Sequence, residues 1–183
     1  MDGAIQEGLA GDIFGSATPK PKSTGVGRIL DAELARLTPF EFEALSAILL
    51  AGRFEKVLLT PKSGDRGVDV IGVSAKEIAL IQCKHRLTEA DANAEDAIEE
   101  LIDGQDYYRE NLIPKKLKSL PIRLIIVLSG KADKSSQAEA KRAAIELLDH
   151  SVVVKLLSKA PITPVDLQEM ERTRVQDLRE IFS

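Results

Sequence analysis

The fold is decided by residues 67–84, which read GVDVIGVSAKEIALIQCK. Two apolar runs, 68–73 and 78–84, flank a short polar link at 74–77, and this pattern is typical of a β-hairpin. Buried strands seldom carry polar or charged side chains. The three that interrupt these runs therefore need a specific explanation; they are Asp69, Gln82 and Lys84.

The geometry of a hairpin would bring these three polar residues together. If the link is centred between Ala75 and Lys76, Asp69 lies opposite Gln82, with Cβ atoms about 4.5–5.5 Å apart. Gln82 and Lys84 are two residues apart, so they share a face of the strand. A slip of one residue would destroy this pairing. In the expected register, a carboxylate, a carboxamide and an ammonium group meet on one face of the sheet.

This trio suggests metal-assisted chemistry. Carboxylate and carboxamide oxygens are ligands that Mg²⁺ accepts while it keeps several of its waters. A neighbouring lysine could orient or deprotonate an attacking water, while the cation would polarise a phosphoryl oxygen. The alternative at this point is structural, because a buried Asp69–Lys84 ion pair would also account for the charges.

The segment upstream predicts a helix that begins at a capping box. Thr38 suits the N-cap, Pro39 the first helical position and Glu41 the reciprocal cap, and Gly52 would end the helix. Glu43 has no part in the cap and lies beside the apolar stripe of this helix. It could reach over the sheet towards the metal, or it could be a solvated glutamate.

The remaining pattern predicts an α/β fold with a mixed central β-sheet of about five strands flanked by helices. Residues 1–28 contain six of the twelve glycines and are expected to be a flexible tail, and 29–183 a single domain. Outside the hairpin, strands are predicted at 54–60, 122–128 and 151–157, and helices at 88–111, 134–149 and 165–182.

Charge is unevenly distributed along the chain. The 183 residues carry a net charge of −4 and are only 4% aromatic, which argues against a general nucleic-acid binder. However, residues 89–110 hold nine acids and one base, whereas 111–143 hold eight bases and two acids. The acidic stretch is either a solvated face or a surface for a basic partner. The candidates for phosphate contact are Lys62, Arg66, Lys115, Lys116 and Lys118, with a plain solvated face as the alternative.

The compartment is expected to be the cytoplasm. The one cysteine, Cys83, cannot form an internal disulfide, and the N-terminus shows no signal-peptide pattern. The sequence also contains no apolar run long enough to span a membrane.

Taken in order, these blocks resemble a known family. Thr38-Pro39-Phe40-Glu41-Phe42-Glu43, then Asp65-Arg66-Gly67-Val68-Asp69, then Gln82-Cys83-Lys84 are similar to the catalytic domain of Mrr-like restriction endonucleases, which belong to the PD-(D/E)xK nuclease superfamily. Each block alone is a weak signal, whereas the ordered set is fairly specific. The resemblance covers 37–86 well and 122–157 more loosely.

The resemblance implies a role for each matching residue. Asp69 would be the main metal ligand, and Gln82, where many relatives have an acid, would be a neutral ligand. The backbone carbonyl of Cys83 would assist, and Lys84 would act on the attacking water and on the developing charge. Glu43 would complete the metal site or bind a second metal.

Two further positions of the motif have supporting roles in this interpretation. Asp65 would shape the loop or serve as an outer ligand, and Gly67 would let the chain turn before the strand.

The function implied is a Mg²⁺-dependent DNA endonuclease that hydrolyses phosphodiester bonds, with Mn²⁺ able to substitute, in restriction of or defence against foreign DNA. Members of the family often carry a separate DNA-recognition domain, so a protein partner or homo-oligomer is expected to supply target recognition. Two alternatives remain open: a partner-dependent binding or assembly module on a nuclease fold, and a nuclease of DNA repair or junction processing.

Overall fold

The computed structural model describes residues 27–85 and 94–182. Within these ranges the α-helices are α1 (Asp31–Leu34), α2 (Pro39–Leu50), α3 (Glu95–Tyr107), α4 (Lys134–Arg142), α5 (His150–Leu157) and α6 (Pro164–Glu171). The strands are β1 (Lys56–Leu59), β2 (Val70–Val73), β3 (Ile78–Lys84), β4 (Ile122–Leu128) and β5 (Glu146–Leu148). Single turns of 3-10 helix at Ala51–Arg53, Lys115–Leu117 and Leu178–Glu180, and a π-helical turn at Tyr108–Leu112, complete the regular structure.

The five strands form one mixed sheet in the order β1-β2-β3-β4-β5. Strands β1, β2 and β3 pair antiparallel, whereas β3, β4 and β5 pair parallel. Val70 faces Ile81 in the hairpin, as the predicted register requires. The prediction of an α/β fold with a mixed five-stranded sheet is therefore confirmed.

Helices cover both faces of the sheet, and each face has its own apolar core. On one face, α2, α5 and α6 pack against side chains such as Val70, Ile81 and Ile125. On the other face, α3 packs against Ile71, Leu80 and their neighbours. Strand β3 is central and its apolar residues are buried on both sides, which explains why its sequence is an apolar run.

The predicted start of α2 is also present. The hydroxyl of Thr38 accepts a hydrogen bond from the backbone N–H of Glu41 (3.2 Å), and the Glu41 carboxylate accepts one from the N–H of Thr38 (2.7 Å). Pro39 occupies the first turn, and the helix ends at Leu50, just before the predicted Gly52. The capping box thus satisfies two backbone N–H groups at the start of α2.

The predicted strand at 151–157 is wrong, because this segment is helix α5. The Asp149 side chain accepts hydrogen bonds from the N–H groups of Ser151 and Val152 and so caps a helix at that point. The valines favour a strand only weakly, and the cap and the packing of Val153 decide otherwise. The last strand is instead Glu146–Leu148, which lies inside the predicted helix 134–149; α4 ends at Arg142, and Ala144 has a positive φ of 55°.

Two other predicted helices are shorter than expected. The acidic helix begins, among described residues, at Glu95 and changes to a π-turn at Tyr108; the predicted start at 88 lies outside the described residues. The C-terminal helix stops at Glu171, because the following chain turns towards the sheet and the N–H of Val175 donates to the carbonyl of Leu59.

The predicted N-terminal tail lies almost entirely outside the described residues. No helix in the described part of the chain is long and apolar enough to cross a membrane.

Candidate functional site

The hairpin and α3 border an open cavity of about 560 Å³ at the end of β3. Asp69, Gln82 and Lys84 all line it, so the structure brings together the three polar residues that interrupt the strands. Asp69 immediately precedes β2, and the other two lie at the end of β3. Other lining residues come from the loop before β2 and from α3; they are Asp65, Arg66, Gly67, Glu100, Asp103, Gly104 and Tyr107.

Asp69 is held by the strand next to it. The backbone N–H of Cys83 donates to Oδ2 of Asp69 at 2.6 Å. The pKa of Asp69 is raised from 3.8 to about 7, first by burial and then by the nearby charge of Glu43, against the lowering effect of the Cys83 hydrogen bond. A carboxylate in this setting gains strongly from a bound cation, because the cation would keep it ionised.

Gln82 presents an oxygen that nothing in the described chain satisfies. Gln82 is only 3% exposed, and its Oε1 has no hydrogen-bond partner among the described groups. Its Nε2 donates to Oε2 of Glu100 at 2.5 Å. Because a buried polar atom without a partner is costly, an acceptor of this kind beside Asp69 suits a ligand or a cation.

Lys84 pairs with the carboxylate of Glu100, the same group that accepts from Gln82. Its Nζ lies 2.9 Å from Oε2 of Glu100, and this pairing is the first cause of the lowered pKa of Glu100. Glu100 was not among the predicted site residues, since it is one of nine acids in a stretch whose sequence is typical of a solvated face. A usable signal was its position on the face of α3 that packs against the sheet, because its neighbours on that face are buried. These neighbours are Ala97, Leu101 and Gly104.

The loop before β2 supports this arrangement through Asp65 and Gly67. Oδ1 of Asp65 accepts from the N–H of Gly67 at 3.0 Å, so Asp65 shapes the loop. Gly67 has φ +74°, and a Cβ there would lie 2.9 Å from Cβ of Glu100. Gly104 is equally constrained, since its Cβ would meet the carbonyl oxygen of Arg66 at 2.5 Å. These two glycines let α3 approach the loop closely enough for Glu100 to enter the site.

Two basic residues proposed for DNA contact lie in or next to the same loop, but only one lines the cavity. Arg66 is exposed and its guanidinium lies 4.8 Å from the centre of the Tyr107 ring, at the cavity rim. Lys62 instead pairs with Glu171 (2.9 Å) and lies over the ring of Phe40 (4.4 Å).

Glu43 is buried and does not line the cavity. Its Oε2 accepts from Nη2 of Arg174 at 2.8 Å, and burial is the largest cause of its raised pKa. Its charge still acts on Asp69, so the two carboxylates are electrostatic neighbours. Arg174 was not among the predicted site residues, because it falls within the continuous terminal helix predicted at 165–182.

The basic cluster formed by Lys115, Lys116 and Lys118 lies away from this cavity. All three are exposed and precede β4, whose first residue, Ile122, faces Ile78 at the far end of β3 from Lys84. Any contact that these lysines make with a nucleic acid would therefore be remote from the cavity.

The donor set fits a hard divalent cation, although it is small. Asp69 offers a carboxylate and Gln82 an orphaned amide oxygen, which are ligands that Mg²⁺ and Mn²⁺ accept. Within residues 27–85 and 94–182, no group of three or more His, Cys, Asp or Glu side chains is arranged to hold a metal. A bound cation would therefore depend on these two side chains, backbone oxygen and water.

Comparison with known proteins connects this site to a family. A family model described as restriction endonuclease, Mrr_cat, matches residues 34–157, which include every residue of the cavity. No curated protein matches the chain.

Two solved structures resemble parts of the fold. The MspJI restriction endonuclease, solved in complex with a 27-mer oligonucleotide, is 17% identical with a TM-score of 0.48 over 76% of this chain and 32% of MspJI. The protein VC1899 from Vibrio cholerae is 16% identical with a TM-score of 0.35 over 58% of this chain and 23% of that protein. This chain thus spans about a third or less of the length of either protein.

Proposed function

Because this chain belongs to the Mrr-type restriction endonuclease family, we propose that it is a divalent-metal-dependent DNA endonuclease that hydrolyses phosphodiester bonds. The observation that carries the proposal is the meeting of Asp69, Gln82 and Lys84 in one cavity, with the Gln82 amide oxygen buried and unsatisfied within the described chain. Two oxygen donors beside an ammonium group match the needs of phosphodiester hydrolysis by water.

Asp69 and Gln82 would hold the cation, with the backbone carbonyl of Cys83 as a third oxygen. A bound divalent cation supplies Lewis-acid polarisation of the phosphoryl group and lowers the cost of generating a nucleophile at neutral pH. Mg²⁺ is the proposed physiological ion, and Mn²⁺ is expected to replace it.

Lys84 is the proposed source of positive charge next to the reacting phosphate. Its ammonium group is anchored by Glu100 at 2.9 Å, and its side chain is 37% exposed. It can therefore donate one N–H to Glu100 and still present another to a phosphate oxygen or to the attacking water. Such a preorganised donor acts where charge develops during the reaction.

Glu43 enters the proposal as an electrostatic neighbour of Asp69. Its pairing with Arg174 leaves Oε1 as the oxygen with which it could complete the metal site. Asp65 would act through the loop that it shapes or as an outer ligand, and Gly67 through the turn that it permits.

DNA contact is proposed for two regions. Arg66 lies at the cavity rim, where it would meet the phosphates that flank the scissile bond, and Lys62 lies nearby in the same loop. Lys115, Lys116 and Lys118 would add sequence-independent affinity at the far end of the sheet. We further propose restriction of foreign DNA in the cytoplasm as the setting, with target choice supplied by a partner or a second copy.

The proposal is tested by incubating the purified protein with supercoiled plasmid and Mg²⁺ or Mn²⁺. We expect nicked and linear products, complete loss of cleavage with EDTA, and recovery when excess metal is added back. Asp69→Ala and Lys84→Ala should each lower the cleavage rate by about 100-fold or more.

Matched controls separate the site from general loss of charge. Asp96→Ala and Lys159→Ala remove an exposed acid and an exposed base outside the cavity, and both should cleave at the wild-type rate. Cleavage by Asp69→Ala at the rate of Asp96→Ala would contradict the assignment of the site, as would cleavage by the wild type in EDTA.

A further inference from the structure

Glu100 is the point at which α3 enters the proposed site. Its side chain leaves a helix rich in acids, crosses to the end of β3 and accepts from two groups of that strand. Among the described residues, the neighbouring Glu99 and Asp103 form no hydrogen bond or ion pair with β3, although Asp103 lines the cavity. Glu100 is thus distinguished from these two acids by its hydrogen bonds to β3.

A single oxygen atom carries both contacts. Oε2 of Glu100 accepts from Nε2 of Gln82 at 2.5 Å and from Nζ of Lys84 at 2.9 Å. Since Nε2 and Oε1 of an amide are bonded to the same carbon, fixing Nε2 on Glu100 fixes Oε1 on the other side of the amide plane. The buried Oε1 of Gln82, which no described group satisfies, is therefore held in one orientation.

The backbone and Cβ of Glu100 are closely packed, although its side chain is 52% exposed. Gly67 approaches so closely that a Cβ at that position would lie 2.9 Å from Cβ of Glu100 and 3.1 Å from its carbonyl oxygen. One turn further along α3, Gly104 abuts the carbonyl of Arg66. The backbone of Glu100 is thereby placed against the loop that carries Asp65 and Asp69, at a distance from which the carboxylate reaches Gln82 and Lys84 of β3.

We propose that Glu100 is a positioning residue, whose Oε2 orients the amide of Gln82 towards the cation and the ammonium group of Lys84 towards the phosphate. The inference rests on the proposed function and deepens it. It also accounts for a neutral residue at position 82, because only an amide can donate to Glu100 and offer an oxygen to the cation at the same time. A carboxylate at 82 would face Glu100 with like charge.

The test compares Glu100→Ala and Glu100→Gln with Glu99→Ala as the control on the same helix. The first readout is the affinity for Mn²⁺ alone, measured by titration calorimetry, and the second is the rate of plasmid cleavage at saturating Mn²⁺. Groups that orient metal ligands typically change affinity by about 10–100-fold. We expect a loss in that range for Glu100→Ala and wild-type values for Glu99→Ala.

Glu100→Gln discriminates positioning from charge. Its amide oxygen can still accept from Gln82 and Lys84, so we expect it to retain most of the Mn²⁺ affinity that Glu100→Ala loses. Equal, severe losses in both variants would overturn the positioning role, because they would mean that the negative charge itself is required. Wild-type Mn²⁺ affinity in Glu100→Ala would overturn it as well.

The outcome for the proposed function is read separately. Wild-type protein that neither binds Mn²⁺ nor cleaves DNA would contradict the nuclease assignment. Wild-type protein that does both, with a folded Glu100→Ala that does both equally well, would leave the nuclease intact and remove only the role of Glu100. Circular dichroism and thermal melts establish that each variant is folded.

Discussion

Nη2 of Arg174 lies 2.8 Å from Oε2 of Glu43, and both residues are buried, at 6% and 8% exposure. The same guanidinium donates to the carbonyl of Thr60 (2.8 Å) and to the carboxylate of Glu171. Thr60 in turn donates its N–H to the carbonyl of Asp69. The ion pair thus connects the C-terminal segment to α2. It is also linked through Thr60 to Asp69, the proposed metal ligand.

Removing Arg174 should destabilise the protein strongly. Arg174→Met keeps the length of the side chain but leaves Glu43 as a buried charge without its partner, and breaking such pairs costs about 3–5 kcal/mol. The loss should be smaller at acidic pH, where Glu43 can take up a proton, because burial already raises the pKa of Glu43. Urea unfolding at pH 5 and pH 8 measures both effects.

Arg172→Met is the matched control, since Arg172 is exposed and two residues away in the chain. It should change the free energy of unfolding by less than about 0.5 kcal/mol. If Arg174→Met were as stable as this control, the buried pair would not hold the C-terminal segment in place.

The stability of the metal-free protein should fall as the pH rises from about 4 to about 7. Burial and the charge of Glu43 raise the pKa of Asp69 from 3.8 to about 7 in the folded state, so over this interval the unfolded chain has already lost its proton while the folded chain retains it. The free energy of unfolding therefore falls by about 1.36 kcal/mol for each pH unit, and by at most about 4 kcal/mol in total. Below pH 4 the group contributes nothing, and above pH 7 the cost is constant.

Asp69→Asn isolates this contribution. The variant keeps an acceptor for the Cys83 N–H but cannot ionise, so without metal it should be more stable than wild type at pH 8 and no more stable at pH 4. Added Mg²⁺ should raise the melting temperature of the wild type at pH 8 and leave that of Asp69→Asn unchanged, because only the carboxylate gains from the cation. A parallel pH profile for the two proteins would show that Asp69 is not the buried acid responsible.

The hairpin was the most predictable part of this molecule, because its information is local. The link at 74–77 and the alternation of side chains fix which residues face each other, and Val70 does pair with Ile81. The predicted strand at 151–157 failed because a side chain just outside the segment, Asp149, caps a helix there. Valine-rich segments of this length are ambiguous until the cap and the tertiary packing are known.

The candidate site was predictable only where the strand itself carries it. Asp69, Gln82 and Lys84 stand out because they interrupt apolar runs. Glu100 and Arg174 do not stand out, because each lies in a segment where charged residues are ordinary, and their contacts with Gln82 and Glu43 span 18 and 131 residues. Such partners depend on how α3 and the C-terminal segment pack, which no local pattern encodes.

The close contact between the loop before β2 and α3 should be intolerant of a single methyl group. Gly104→Ala places a Cβ 2.5 Å from the backbone carbonyl of Arg66, which cannot move away as a flexible side chain would. We expect a loss of about 1–3 kcal/mol from overpacking, partly offset by the better helix propensity of alanine, and a reduced cleavage rate because Glu100 shifts away from β3. Thermal melts and plasmid cleavage measure the two effects.

Gly52→Ala is the control for this substitution, since no atom lies within 4 Å of a Cβ built there. It should leave both stability and cleavage near the wild-type values. If Gly104→Ala cleaved DNA at the rate of Gly52→Ala, the packing of α3 on the loop would not determine the geometry of the site.

The salt dependence of DNA binding should reveal whether the remote lysines contact phosphates. Lys118 already donates to the carbonyl of Glu110, so we choose Lys115→Gln/Lys116→Gln, with Lys155→Gln on α5 and Lys159→Gln just after it as a control of equal charge. Both pairs are introduced into Asp69→Ala protein, and binding to a labelled duplex is followed by anisotropy between about 50 and 200 mM NaCl, a range over which phosphate contacts weaken measurably.

Each lost contact should reduce the slope of log K against log salt by about 0.9, whereas the control pair should leave the slope unchanged. Identical slopes for the two pairs would mean that Lys115 and Lys116 form a solvated face, and the remaining candidates for phosphate contact would then be Lys62, Lys118 and, at the cavity rim, Arg66.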